Sequence, residues 1–140
     1  MYKNNEGYAD PTAGIAMSRM MKEYRQAQKR RYLDRNRRKV YVASKYAGDV
    51  KKNTMAALRY CRYVISEGCM PVASHVFFAA SGMLQDDDPA EKELGRMFGL
   101  SLLGVCDEVW VFGPVSEGME QEIREAKRLH IPVVYKEADR

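Results

Sequence analysis

The stretch SEGMEQEI, residues 116–123, sets Ser116, Gly118 and Glu122 in that order along the start of a helix. A helix N-terminus presents unpaired backbone amides and partial positive charge, which suits an anion such as phosphate. A glycine in the first turn lets a ligand come close to those amides, and a serine at the same point adds a hydroxyl. A carboxylate one turn further on that points at the sheet would face the same ligand. The same residues also have a structural use: Ser116 as a cap, Gly118 as relief for a tight turn, and Glu122 as the partner of a Lys or Arg. Acidic side chains gather at helix N-termini in any case, so residue type does not separate Glu122 from Glu117 and Glu120. Their positions around the helix do. Met119, Ile123, Ala126 and His130 define the inward face, and Glu122 leans toward it between Ala126 and Leu129. Glu120, Gln121, Arg124, Glu125 and Arg128 cover the opposite arc.

Holding that glutamate over a site requires a strand before the helix and a sheet beneath it. KVYVAS (39–44) has the apolar, β-branched character of a strand, and DVKKNTMAALRYCRYVISEG (49–68) follows as a helix. Asp49 is its expected cap, Val50, Ala57, Leu58, Cys61 and Ile65 its apolar face, and Gly68 its stop. MPVAS (70–74) is a short second strand. In DDDPAEKELGRMFGLSLLGVCD (86–107), Asp88, Pro89 and Glu91 fit the cap, the first position and the capping-box partner of a helix. That helix is expected to bury Leu94, Met97, Phe98, Ser101 and Val105. EVWVFG (108–113) and IPVVYK (131–136) supply the remaining strands. Strands alternating with helices predict an α/β, flavodoxin-like three-layer sandwich, with a parallel sheet of about four strands in the order 2-1-3-4. Ligands of such sheets sit beyond the carboxyl ends of the strands, where the strand order reverses. The loops to inspect are therefore 44–49, 74–78 and 113–122. His75 stands at one of these strand ends, either serving a site or packing a loop. Tyr46 either stacks on a base or packs. The three aspartates at 86–88 either cap the helix or hold Mg²⁺.

Charge divides the chain. Residues 1–40 carry a net +7 and residues 41–140 a net −3. The expected organisation is a basic helical arm, 1–38, followed by one α/β domain, 39–140. Asp10 and Pro11 open the arm helix as cap and first position. Ala13, Met17, Met20, Met21, Tyr24 and Ala27 recur at helical spacing among Arg19, Lys22, Arg25, Lys29, Arg30 and Arg31. Such a helix docks its apolar stripe on the domain or a second subunit, or offers its charge to nucleic acid. Cys61, Cys69 and Cys106 are odd in number and form no CxxC pair, which fits reduced thiols in a cytoplasmic protein. No apolar run reaches the roughly 18 residues of a membrane span, so no membrane association is expected. Nothing in the pattern calls for a cofactor or a bound metal.

Several segments together resemble the nucleoside 2-deoxyribosyltransferase superfamily, especially its small phage and bacterial domains. They are KVYVASKYAGD, the asparagine of KKN, PVASH, and CDEVWVFG with SEGMEQEIREAKRLHIPV, spanning residues 39–136. In the similar 2′-deoxynucleoside 5′-monophosphate N-hydrolases, a glutamate attacks the anomeric carbon while a serine and a glycine hold the 5′-phosphate. The resemblance places those roles on Glu122, Ser116 and Gly118. It also places Ser44, Tyr46 and Gly48 around sugar and phosphate, and it implies a homo-oligomer with a nucleotide-like ligand. The acid that serves the leaving base in those enzymes falls here on Gly99. Asp88, Glu93 and His75 are the candidates to replace it. The resemblance thus implies a nucleotide N-glycosidase or deoxyribosyltransferase-like enzyme or, with the acid lost, a nucleotide sensor or sponge with the same pocket.

Overall fold

The structure, a computed structural model, describes residues 11–33 and 38–137. The chain divides into two units, Met1–Arg37 and Arg38–Arg140. The first contains helix α1 (Pro11–Leu33), which starts at the proline because a first-turn position needs no amide hydrogen. Asp10, its expected cap, lies outside the described residues. Met17, Met20, Met21 and Tyr24 of the expected docking stripe are exposed, as are Arg19, Lys22, Arg25 and Lys29.

The second unit runs β1 (Lys39–Ala43), α2 (Val50–Ser66), β2 (Met70–Val72), a short π-helix (Val76–Ala80), α3 (Pro89–Leu103), β3 (Glu108–Phe112), α4 (Glu117–Arg128) and β4 (Val133–Lys136). All pairings are parallel and the order is β2-β1-β3-β4, the flavodoxin-like arrangement expected from the sequence. Successive side chains of a strand alternate between faces, and both faces are covered. Tyr41, Ala43, Val109 and Val111 pack with Leu103 of α3 and Met119, Ile123 and Ala126 of α4. Val40, Val42, Trp110 and Phe112 pack on the other side with Val64, Tyr60, Cys61 and Tyr63 of α2. This two-sided burial explains why β1 and β3 read as continuous apolar runs. Among the described residues, no helix is long and apolar enough to cross a membrane.

Helix starts fall where the caps predict. Asp49 accepts from the Lys52 amide (3.1 Å) and Asp88 from the Ala90 amide (2.9 Å). Glu91 does not close a box with Asp88; its carboxylate accepts instead from the Gln85 amide at 3.3 Å. The helix faces differ more. On α2 the inward line is Ala57, Tyr60, Cys61 and Val64, and Val50, Leu58 and Ile65 are exposed. The tyrosines take the inward places because they cover the aromatic side chains of β3: Tyr60 stacks on Phe112 with centroids 4.5 Å apart. On α3 the buried residues are Gly99 and Leu103, whereas Leu94, Met97, Phe98, Ser101 and Val105 are exposed. Gly99 takes its inward place against the Ser74 side chain, and Leu103 joins the core formed with α4. On α4, Met119, Ile123 and Ala126 are buried as expected, but His130 follows the helix end at a φ of 59° and is exposed.

The revised α3 face is open to test. Leu103→Ala should destabilise the protein by about 2–5 kcal/mol, whereas Met97→Ala should change stability by only about 0.5 kcal/mol. Urea unfolding of the two variants measures the difference, and comparable losses would mean that α3 is turned differently.

Candidate active site around Glu122

Strand β1 carries one polar tip into the core. The Tyr41 side chain is fully buried, and its hydroxyl lies between α3 and α4. It donates to the Glu122 carboxylate and lies 2.6 Å from Ser74 Oγ. A phenol has a single hydrogen, so with that hydrogen on Glu122 the serine must be the donor to Tyr41. The relay runs Ser74 to Tyr41 to Glu122. Burial raises the Glu122 pKa to about 7, and the Tyr41 hydrogen bond opposes part of that rise. The Tyr41 hydroxyl is raised well above its usual range, first by burial and then by the Glu122 charge, so it stays protonated as a donor.

Gly99 sits directly beneath this relay. A β-carbon there would come within 3.0 Å of Ser74 Oγ and 3.5 Å of the Tyr41 hydroxyl oxygen. The first contact is tight and the second is an ordinary one, so a side chain at this position requires Ser74 to give way. The position where the resemblance calls for an acid is a glycine set against Ser74.

Ser116 caps α4 as expected, its hydroxyl accepting from the Met119 amide at 3.4 Å. Gly118 differs from the tight-turn reading. It does not adopt a positive φ, and a β-carbon built on it meets nothing within 4 Å. The folded chain therefore gives no steric reason for a residue that weakens a helix by roughly 1 kcal/mol. Ser44 follows β1 as a buried residue whose hydroxyl has no partner among the described residues. Gly48 takes a φ of 102°, a left-handed turn that suits glycine. Between them, the Asn53 side-chain amide donates to the carbonyls of Tyr46 and Ala47, each at 3.0 Å. Tyr46 is thereby held against His75, ring centroids 5.0 Å apart. Burial lowers the His75 pKa to about 4, so the ring is neutral near pH 7, and its Nε2 is buried without a partner among the described residues.

The other candidate acids stand apart from this cluster. Asp88 is occupied as the α3 cap. Glu93 is exposed and paired with Arg96, whose hydrogen bond keeps the carboxyl below the usual range and so ionised near neutrality. Among the described residues, no three metal-ligating side chains converge. Sequence reasoning missed Tyr41 and Ser74. The signal for Tyr41 was present, since a tyrosine within a strand buried on both faces brings a hydroxyl that must find a partner. Ser74 had no local signal.

Residues 38–136 match the family described as Domain of unknown function (DUF7768), and the chain belongs to that family. No curated protein matches it in sequence. Among solved structures, it is similar to a 2-deoxyribosyltransferase from the psychrotolerant bacterium Bacillus psychrosaccharolyticus. The TM-score is 0.58 at 12% identity, over 71% of this chain and 72% of the other. At that identity the likeness is one of fold.

A carboxyl whose pKa rises from 4.5 to about 7 on folding binds its proton more tightly in the native state. Its contribution to stability is therefore lost as pH rises through that interval and stays lost above it. Glu122→Gln should remove this decline and be more stable than wild type at about pH 8, by something on the order of 3 kcal/mol. Urea midpoints at pH 4.5 and about pH 8 test it, and a variant no more stable than wild type at the higher pH would refute the desolvated placement of Glu122.

Proposed function

We propose that this DUF7768 domain cleaves, or less readily transfers, the N-glycosidic bond of a nucleoside 5′-monophosphate, with Glu122 as nucleophile. The observation that carries the reading is the half-buried Glu122 carboxylate, held by Tyr41 one turn beyond the open helix start at Ser116 and Gly118. In the reaction a Glu122 oxygen bonds to the anomeric carbon as the C–N bond breaks, and the bonding pair leaves with the base. Water then releases the sugar from the glutamyl ester. Burial favours that first step, because the carboxylate charge that the site tolerates poorly is lost as the ester forms. The amides of the first α4 turn, approachable at Gly118, suit the 5′-phosphate, and Ser116 adds its hydroxyl. Ser44, Tyr46, Gly48 and His75 line the sugar and base side. The fold shared with a 2-deoxyribosyltransferase agrees with this chemistry.

A second reading keeps the pocket and drops turnover, making the domain a nucleotide sensor or sponge. Gly99 favours it, since the position where the resemblance calls for an acid carries no side chain. Mass spectrometry of protein incubated with deoxynucleoside 5′-monophosphates separates the two. An enzyme releases free base and carries a deoxyribosyl adduct that Glu122→Ala abolishes, whereas a sensor returns the nucleotide unchanged.

The glycine supplies an independent check. Gly118→Ala should raise stability by about 0.5–1 kcal/mol, because nothing in the chain opposes the added methyl. The same change should weaken nucleotide binding by about tenfold or more through crowding of the phosphate. Thermal unfolding and calorimetric titration report the two effects, and unchanged affinity would remove the phosphate from this helix start.

We further propose a homo-oligomer, supported by the exposed Phe77, Met83, Leu94, Met97 and Phe98 of the π-helix, α3 and the loop between them. Light scattering should give at least a dimer mass that Phe98→Glu reduces to the monomer; a monomeric wild type would exclude the proposal.

A further inference from the structure

Helix α1 carries four cations that the reaction above leaves unused. Arg19, Lys22, Arg25 and Lys29 are exposed, and among the described residues none of them meets a carboxylate. They follow one another at steps of three, three and four residues, so each is the helical neighbour of the next. At 3.6 residues per turn the four fall within an arc of about 120°. Their steps along the axis are about 4.5, 4.5 and 6 Å, a ladder about 15 Å long. Glu23, the one acid of α1, lies outside that arc.

Like charges at this spacing repel, so the ladder weakens the helix that carries it. One carboxylate relieves one step, whereas a polyanion of evenly repeated charge relieves them all. Duplex DNA carries a negative charge for about every 1.7 Å of its axis. An α-helix about 10–12 Å across also enters its major groove, which is about 12 Å wide. The major groove of duplex RNA is deep and narrow and does not take a helix in this way. The opposite arc of α1 argues against a lipid surface. It presents Met17, Met20, Met21 and Tyr24, without the Trp, Phe and Leu of helices that lie in a bilayer interface. On the same side the Tyr24 hydroxyl accepts from the Gln28 side-chain amide at 3.0 Å, which keeps polar atoms there. Residues 41–140 carry a net −3 and repel a polyanion. Attraction has to come from the arm.

We propose that α1 binds duplex DNA, with the ladder from Arg19 to Lys29 set on the phosphate backbone. Contacts to phosphates anchor the chain without selecting a sequence. Each neutralised phosphate releases counterions, so the affinity falls steeply as salt rises.

The test is fluorescence anisotropy of the intact chain with a short labelled DNA duplex, titrated at salt concentrations from about 50 to 200 mM. Wild type should lose about a hundredfold in affinity across that range, a log–log slope of about −3.6 for four phosphates. Arg19→Gln, Lys22→Gln, Arg25→Gln and Lys29→Gln combined should weaken binding at the lowest salt by about a hundredfold or more. Glutamine favours a helix about as well as lysine or arginine, and circular dichroism checks that α1 persists. If the combined variant loses helix, the single variants decide: Lys22→Gln and Lys29→Gln should each make the slope shallower by about 1, and Lys22→Arg should leave it unchanged. No binding of wild type at the lowest salt would overturn the proposal, as would a combined variant that binds as wild type does or single variants with an unchanged slope. Tighter binding to an RNA duplex, to phosphatidylserine vesicles or to polyglutamate than to the DNA would overturn it too, assigning the ladder to RNA, a lipid surface or an acidic protein.

Discussion

A phenol buried in the middle of a parallel strand has to find its hydrogen bonds inside the protein. Tyr41 finds them with Ser74 at the end of the neighbouring strand and with Glu122 on the helix after β3. Much of the architecture follows from satisfying that one hydroxyl. Ser74 stands beside it, and α3 meets Ser74 at Gly99, where a β-carbon would lie 3.0 Å from Ser74 Oγ. With Gly99 turned inward, Met97 and Phe98 are carried to the surface, which leaves the apolar face described above. Glu122 is kept at a depth that a surface glutamate with a lysine partner would not occupy.

The opposite face of the sheet makes this placement reproducible. Trp110 and Phe112 are sealed by Tyr60 and Tyr63 of α2, and the Lys136 ammonium lies 4.2 Å from the centre of the Trp110 ring. Between the faces, Tyr41 pairs in register with Val109. The start of that pairing is clamped by Asp107, whose amide donates to the Lys39 carbonyl (2.8 Å) while its carboxylate accepts from the Lys39 amide (2.7 Å). A slip of one residue would send Tyr41 to the α2 side and part it from Glu122. Because both faces are apolar, the aromatic layer and the Asp107 clamp discriminate between registers where hydrophobicity alone would not. The ion pair of Arg38 with Glu108 at the same end joins an exposed guanidinium to a half-buried carboxylate.

What the sequence revealed and what it hid follow the same physics. The four strands, their order and the three domain helices were legible, because caps at Asp49, Asp88 and Ser116 and apolar strand runs are local features. The inward direction of Glu122 was legible from helix geometry, and the inward lines of α2 and α3 were not. Counting apolar residues favours Val50, Leu58 and Phe98, whereas packing favoured tyrosines where aromatic surface needed cover and glycine where α3 meets Ser74. The π-helix at Val76–Ala80 has no local signature at all. Nor could spacing reveal the Tyr41–Glu122 contact, since 81 residues separate its partners and only the β1–β3 crossover joins them.

The state of Glu122 is what separates a structural carboxylate from a chemical one. Among the described residues Tyr41 is its only hydrogen-bond donor, although an ionised carboxylate can accept about four. A carboxylate serving stability alone would gain from a cation or from backbone amides, as Glu93 and Asp88 do here. Glu122 has neither, and burial works against its charge. Such an arrangement costs free energy at rest, and an apolar side chain of similar size would be cheaper in the same place. The deficit is repaid only by a process that consumes the charge, and the two open to it are protonation and bond formation to an electrophile. Bond formation to an electrophile is the one that the proposed nucleotide reaction assigns to Glu122.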